Sequence, residues 1–321
     1  MNGGADPTFR ARIAARKVEA DEIVSLELHA CEGGTLPAFA AGAHVDVHVA
    51  PGIVRQYSLS NDPRETHRYR LAVLAEPNSR GGSTGIHAGF AVGSLVTIGP
   101  PRNLFHLEET AGQSILLAGG IGITPLMAMA YRLLALGRDF HLHYCVRSAT
   151  RAAFRDELAD GPLAPWTTIH CDDGPDEQRF VLSRTLGRPI ADAHLYVCGP
   201  AGFIDFVTAG AQRLGWPEAR VHVERFSAAP DTAGDAFTVE TSSGMVVDVP
   251  ADRSIAAVLA EHGVDVPTLC EQGVCGTCLT SVLDGIPDHR DFCQTDAEKA
   301  ENTQIALCCS RSKTPRLVID I

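Results

Sequence analysis

Thr268-Leu269-Cys270-Glu271-Gln272-Gly273-Val274-Cys275-Gly276-Thr277-Cys278, then twenty-nine residues, then Cys308-Cys309, is the stretch that decides how the last third of this 321-residue chain folds. Three cysteines at C-x4-C-x2-C with a distant fourth form the spacing in which one loop wraps a [2Fe–2S] cluster, supplying three of its four thiolates. Gly273 and Gly276 allow such a loop to bend and to bring backbone N–H groups towards sulfur. Structural zinc sites use paired C-x2-C knuckles, so the asymmetric three-plus-one pattern argues against zinc. Cys308 and Cys309 are adjacent, and on an extended strand their side chains would point to opposite faces. Only one of the two is then placed to ligate. Upstream, Phe237–Thr241, the Ser242-Ser243-Gly244 turn and Met245–Val249 read as a hairpin. Ser254–His262 reads as a helix capped by Asp252 or Ser254. Hairpin, helix and loop together fit an α+β β-grasp domain.

Working outward, six cysteines including Cys293 crowd the last part of the chain, while the other four (Cys31, Cys145, Cys171, Cys198) are scattered. No apolar signal segment follows Arg10, Arg12, Arg16 and Lys17, which leads to the expectation of a cytoplasmic protein with reduced thiols. The chain is about twice the length of a typical domain, so two or three domains are expected. With 45% apolar and 21% charged residues it has material for packed cores. A net charge of −12 and an aromatic content of 6% weigh against nucleic-acid binding, which needs a basic surface and stacking side chains. The uncharged run Thr110–Tyr131 is long enough to span a bilayer, but Gly119-Gly120, Gly122 and Thr124-Pro125 break it. A strand, a glycine turn and a helix describe it better, and no membrane segment is expected.

Ahead of residue 107, Ile23–His29, His44–Val49, Arg55–Ser60, Tyr69–Ala75 and Leu95–Ile98 are short strand-like runs between Gly/Pro/Asn turns, as in a small β-barrel. From 108 to 229 the rhythm changes. Strands at Ser114–Ala118, Phe140–Val146, Trp166–His170, His194–Cys198 and Val221–Glu224 alternate with helices near Pro125–Leu136, Ala152–Leu158 and Gly202–Leu214. That alternation indicates a doubly wound parallel sheet. Ser227–Asp235 has the composition of a linker. Gly119-Gly120-Ile121-Gly122-Ile123-Thr124-Pro125 follows a buried strand and opens a helix, where backbone can approach a pyrophosphate. Cys198-Gly199-Pro200 ends another strand, where open α/β sheets place ligands. Arg55, Tyr57 and Ser58 could bind a phosphate, stack on a flat ring and donate a hydrogen bond. Gly82-Ser83-Thr84 opens a further helix suited to an anion. His141 and His143 share a strand face and read as ordinary strand positions.

In this order the motifs resemble the phthalate dioxygenase reductase family over essentially the whole chain, and the first two segments are similar to the ferredoxin–NADP reductase superfamily. The resemblance implies a multidomain protein: an FMN-binding β-barrel over 1–107, an α/β NAD-binding domain over 108–229 and a plant-type [2Fe–2S] ferredoxin domain over 230–321. It implies that Arg55 holds the flavin phosphate with Gly82, Ser83 and Thr84, and that Tyr57 and Ser58 meet the ring. Gln56 occupies the variable position between them. Gly119, Gly120, Gly122, Thr124, Gly199 and Pro200 would carry the dinucleotide, Cys198 would lie near the nicotinamide, and Phe226 would cover the flavin. Ser58, Thr124, Cys198 and Phe226 are thus the expected catalytic positions. Cys270, Cys275, Cys278 and Cys308 would hold the cluster, leaving Cys293 and Cys309 as packed thiols.

The implied activity is hydride transfer from NADH to FMN, then single-electron transfer through the cluster to a separate Rieske-type terminal oxygenase. A hydride brings two electrons and the cluster takes one, so a flavin between them is required chemistry. A reductase for a cytochrome P450 shares nearly every motif and is the alternative. From Pro230 onward fifteen Asp/Glu face six Lys/Arg, a net −9 within the chain's −12. This acidic domain suits docking to a basic partner surface by a monomeric reductase. Asp172 and Asp173 favour an unphosphorylated ribose, while Arg147 could meet a 2′-phosphate.

Overall fold

The computed structural model describes residues 8–31, 33–77, 79–226 and 231–321. Ser227–Pro230 of the expected linker therefore lie outside the described residues. The chain forms two compact units, Met1–Glu224 and Arg225–Ile321.

The first unit opens with seven antiparallel strands: β1 (Phe9–Ala20), β2 (Ile23–Ala30), β3 (Ala43–Ala50), β4 (Ile53–Ser58), β5 (Arg68–Leu74), β6 (Leu95–Ile98) and β7 (Arg102–Asn103), with helix α1 (Gly82–Gly89) between β5 and β6. Their order is β4-β3-β6-β1-β2-β5, with β7 beside β3. The sheet curls until its two edges meet, since Ser60 N just past β4 donates to the Arg70 carbonyl on β5 at 2.9 Å. Ile13, Leu26, Leu28, Val45, Val47, Leu71, Val73 and Ile98 alternate inward to fill the barrel. The long strand β1 escapes sequence reading: after Ala11 and Ile13 none of its residues is buried and four in a row, Ala15 to Val18, are exposed, so alternation covers only its first half.

The same unit continues as a parallel sheet of β8 (Gln113–Gly119), β9 (Phe140–Val146), β10 (Thr167–Cys171), β11 (Ala193–Cys198) and β12 (Val221–Glu224), ordered β10-β9-β8-β11-β12. Helices α2 (Ile123–Leu136), α3 (Arg155–Asp160), α4 (Leu182–Thr185) and α5 (Ala201–Arg213) cover it. Helix α3 starts three residues later than expected because Phe154 takes a left-handed conformation (φ 57°) before it. The barrel and the sheet are pinned by Arg70, whose guanidinium donates to Glu157 at 2.7 and 3.0 Å and stacks over Phe154 at 4.6 Å, while the Tyr131 hydroxyl donates to the same carboxylate.

The second unit is a mixed sheet of β13 (Phe237–Thr241), β14 (Val246–Val249), β15 (Leu279–Asp284), β17 (Gln304–Ala306) and β19 (Arg316–Ile319), with β16 (Pro287–Asp288) and β18 (Arg311–Ser312) forming a separate pair. β13 runs antiparallel to β14 and parallel to β19, the crossing expected of a β-grasp fold. Helix α6 (Ile255–Glu261) packs Ile255, Val258 and Leu259 against the sheet, and its Ser254 cap accepts from Ala257 N at 3.2 Å. Helix α7 (Asp296–Glu301) carries a capping box from Thr295 and Glu298. Among the described residues no helix is long and apolar enough to cross a membrane.

Arg311 is the polar hub of this unit. It is 2% exposed, donates to the carbonyls of Thr232, Asp235, Pro250 and Arg253 at 2.8–2.9 Å, and stacks over Phe237. Arg311→Met removes four hydrogen bonds to partly buried carbonyls and should cost the second unit about 3 kcal/mol. Arg316→Met, which loses a half-exposed pair with Glu240, should cost less than about 1 kcal/mol. Urea unfolding by circular dichroism checks this, with Trp166 and Trp216 reporting the first unit alone.

Candidate active site and metal centre

At the barrel, the strand pairing of β3 with β4 sets Arg55 and Tyr57 on one face and Gln56 and Ser58 on the other. Arg55 lies across the start of α1: a Cβ on Gly82 would come within 2.6 Å of Arg55 Cγ, so only glycine fits. Arg55 donates to the carbonyls of Val54 and Arg80. Gly82 and Ser83 are buried, Ser83 Oγ accepting from Glu76 N, and Thr84 is exposed. The cationic fork beside the backbone N–H groups of a helix start is a donor set that fits a phosphate. Burial pushes the Tyr57 hydroxyl up to about 12, and the Gln56 side-chain nitrogen is buried without a partner among the described residues. Both are features of a surface built to meet another group.

At the sheet, the order reverses between β8 and β11, and their C-terminal ends are pressed together. A Cβ on Gly122 would fall 2.2 Å from the Cys198 carbonyl, and one on Gly199 would fall 3.0 Å from Gly119 Cα. Gly120 adopts φ 52° in the 3₁₀ turn Gly120–Gly122. Thr124 is turned inward and its hydroxyl donates to the Ile121 carbonyl at 3.1 Å. Pro200 precedes α5 as its cap. Asp172 and Asp173 are exposed beyond β10 and Arg147 beyond β9. His141, His143 and His170 form a row with 3.1 Å between His143 Nδ1 and His170 Nε2, and desolvation lowers His143 to about 3.

The two lobes of the first unit meet at a residue that sequence reading passed over. Glu224 ends β12, its carboxyl hydrogen-bonded to Ser58 and accepting from Cys198 Sγ at 3.8 Å. The residue retains some exposure along the strand, but its carboxyl is enclosed and desolvation pushes it up to about 8. Burial and the Glu224 charge drive the Cys198 thiol well above its ordinary value, so it stays protonated. Ser58, Cys198 and Glu224 thus share one proton-rich cluster. The available signal was positional: an acid at the C-terminal end of a parallel strand. Phe226 follows in the second unit and is 39% exposed.

In the second unit the four expected thiols come together. Cys270 contacts Cys275 and Cys308, and Cys278 contacts Cys308. Among the described residues no three or more His, Cys, Asp or Glu side chains surround a single-ion site. Cys308 thus links Cys270 and Cys278, and Cys270 links Cys308 and Cys275, a set of thiols of the kind that would hold a [2Fe–2S] cluster. Gly273 (φ 72°) and Gly276 (φ 70°) bend the loop, and Gln272 N donates to Cys270 Sγ at 3.3 Å. The expectation that Cys308 and Cys309 lie on an extended strand is corrected. β17 stops at Ala306, and a turn closed by Ser310 N to the Ala306 carbonyl at 3.0 Å carries both cysteines. Cys308 turns to the other ligands; Cys309 touches Cys308 and packs behind Gly273.

Residues 116–209 match the family model of an oxidoreductase NAD-binding domain, and residues 238–313 that of a 2Fe-2S iron-sulfur cluster binding domain. The chain is 49% identical over 312 residues to the vanillate O-demethylase oxidoreductase of a Pseudomonas species, covering 96% of this chain and 98% of that one. It is similar to the solved structure of phthalate dioxygenase reductase, described as a modular structure for electron transfer from pyridine nucleotides to [2Fe-2S]. That match has 40% identity and a TM-score of 0.72 and covers 98% of both chains. An intact type IV self-sufficient cytochrome P450 monooxygenase matches with 34% identity and a TM-score of 0.89, covering 98% of this chain and 41% of that one. This chain therefore spans about two-fifths of that protein's length.

Glu224 makes stability depend on pH. Between its ordinary 4.5 and about 8 the folded protein keeps a proton that the unfolded chain has released. Stability of the first unit should fall as pH rises through that window, by up to about 1.4 kcal/mol per unit, and level off above it. Glu224→Gln should flatten the slope. Thermal unfolding by tryptophan fluorescence between about pH 5 and 9 reads it.

Proposed function

Because the chain belongs to the phthalate dioxygenase reductase family of oxidoreductases, we propose that it is the reductase component of a two-component Rieske-type aromatic oxygenase or demethylase, using NADH as hydride donor. It carries an NAD-binding domain and a 2Fe-2S domain. When bound, FMN accepts electrons as a pair and releases them singly, and a [2Fe–2S] cluster carries them one at a time to a protein acceptor. We assign residues 1–107 to flavin binding, 108–229 to the nucleotide and 230–321 to electron exit.

Arg55, with Gly82, Ser83 and Thr84, would hold the flavin phosphate, while Gln56, Tyr57 and Ser58 orient the ring. Gly119, Gly120, Gly122, Thr124, Gly199 and Pro200 form the dinucleotide cradle; the four glycines, having no side chains, let backbone N–H groups reach a pyrophosphate. We assign Ser58, Thr124, Cys198 and Phe226 to the hydride-transfer step, as the family resemblance implies. Glu224 holds a proton at its carboxyl, next to Ser58 Oγ, and keeps that corner uncharged near neutral pH. Cys270, Cys275, Cys278 and Cys308 hold the cluster. The protein acts in the cytoplasm as a monomer, where reduced thiols remain free to bind iron.

The observation that carries this reading is the gathering of the four thiols in a chain that also brings Ser58, Cys198 and Glu224 together. In anaerobic titration with NADH, flavin and iron–sulfur bands should both bleach. Cys308→Ser should keep NADH-dependent flavin reduction and lose cluster reduction, whereas Cys309→Ser should keep both. Bleaching of the iron–sulfur bands in protein stripped of flavin would refute the order of transfer.

The net −9 of residues 230–321 supports docking through the ferredoxin domain on a basic partner surface. Electron transfer to the oxygenase should slow as ionic strength rises from about 0.01 to 0.5 M, where the screening length shrinks several-fold. A rate insensitive to salt would remove this docking mode. The likeness to the P450 monooxygenase favours a second reading, in which a cytochrome P450 is the acceptor. Stopped-flow reduction of a Rieske protein and of a P450 by the same preparation separates the two.

A further inference from the structure

Segment 289–294 of the second unit has no part in the chemistry assigned so far, yet it packs directly behind the cysteine loop. Phe292 N donates to the Gly273 carbonyl at 2.8 Å. A Cβ on Gly273 would lie 3.1 Å from Asp291 Cα and 2.6 Å from Cys309 Sγ, so this glycine is clamped between segment 289–294 and the turn bearing Cys308. Asp291 is 2% exposed. Its Oδ2 accepts from Gln294 N at 3.0 Å and from Cys293 Sγ at 3.4 Å, and its Oδ1 accepts from Ser310 Oγ at 3.4 Å. Ser310 Oγ in turn accepts from Arg290 N at 3.1 Å.

Three ionisable groups stand around this carboxylate. His289 Nδ1 lies 3.8 Å from Oδ1, and among the described residues neither ring nitrogen of His289 has a hydrogen-bond partner. Lys299 Nζ donates to the Asp291 main-chain carbonyl at 2.7 Å, not to the carboxylate. The Arg290 guanidinium is engaged by Asp288 and by the carbonyls of Asp231 and Ala233.

We propose that Asp291 is a positioning residue of the iron–sulfur centre. Its carboxylate braces the Gly273 loop against the Cys308–Ser310 turn, and its charge holds the reduction potential of the cluster down. The inference rests on the assignment of Cys270, Cys275, Cys278 and Cys308 as ligands. Adding an electron beside a buried carboxylate is opposed by Coulomb repulsion that low-dielectric surroundings screen poorly. Removing the charge while keeping the shape relieves that repulsion. A carboxylate that only closed the 291–294 turn could be replaced by Asn with no electrostatic consequence.

The test is an anaerobic redox titration of the full chain, following the reduced cluster by electron paramagnetic resonance and the flavin by absorbance. Asp291→Asn should raise the cluster midpoint potential, leave the spectrum that of a [2Fe–2S] centre and leave the flavin midpoint unmoved. An assembled Asn variant with an unchanged cluster potential overturns the proposal. If the Asn variant assembles no cluster, Ser310→Ala decides, because it keeps the charge and removes one strut. Faster cluster loss at an unchanged potential then supports the brace, and wild-type persistence refutes it. Wild-type protein that holds no cluster after supply of iron and sulfide refutes the ligand assignment itself, a distinguishable result.

Discussion

The C-terminal ends of β8 and β11 approach so closely that Gly119, Gly122 and Gly199 leave no room for a Cβ between them, and the geometry of the hydride site follows from that approach. A parallel sheet whose order reverses at this point opens a crevice there. The glycines let the backbone itself line the crevice and set Cys198 at its floor. Because β12 lies next in register, with Glu224 opposite Cys198, the acid at its end falls beside that thiol. Ser58 reaches the same place from the barrel, which the Arg70–Glu157 pair ties to the sheet. A larger residue at Gly122 would therefore disturb the proton cluster as well as the nucleotide cradle.

Each unit keeps a carboxyl next to the groups assigned to electron transfer, under opposite rules. In the first, desolvation dominates, and Glu224 retains its proton to about 8. A neutral, hydrogen-bonded corner is compatible with an incoming hydride equivalent, which would be repelled by a fixed negative charge. In the second, Asp291 has three donors and a structural task between two ligand-bearing segments.

The barrel strands could be read from β-branched runs and turns, the nucleotide sheet from the alternation of strand and helix, and the cluster ligands from cysteine spacing. What escaped reading has specific causes. β1 is exposed over its second half, so no alternation marks it. Glu224 closed the strand read at Val221–Glu224 with nothing but that position to distinguish it from a surface acid. The choice of Cys308 over Cys309 rested on resemblance, and the geometry imagined for the pair, an extended strand, was wrong: a turn carries both.

Local patterns along the chain were enough to determine the strand and helix identities, the glycine turns and the set of thiols, because spacing and periodicity are written within a few residues of one another. The partners of Glu224, the clamp on Gly273 and the turn that carries Cys308 and Cys309 were decided only by the tertiary structure. Each depends on which distant segments share a low-dielectric space, and desolvation and Coulomb interaction act through space with no trace in local sequence.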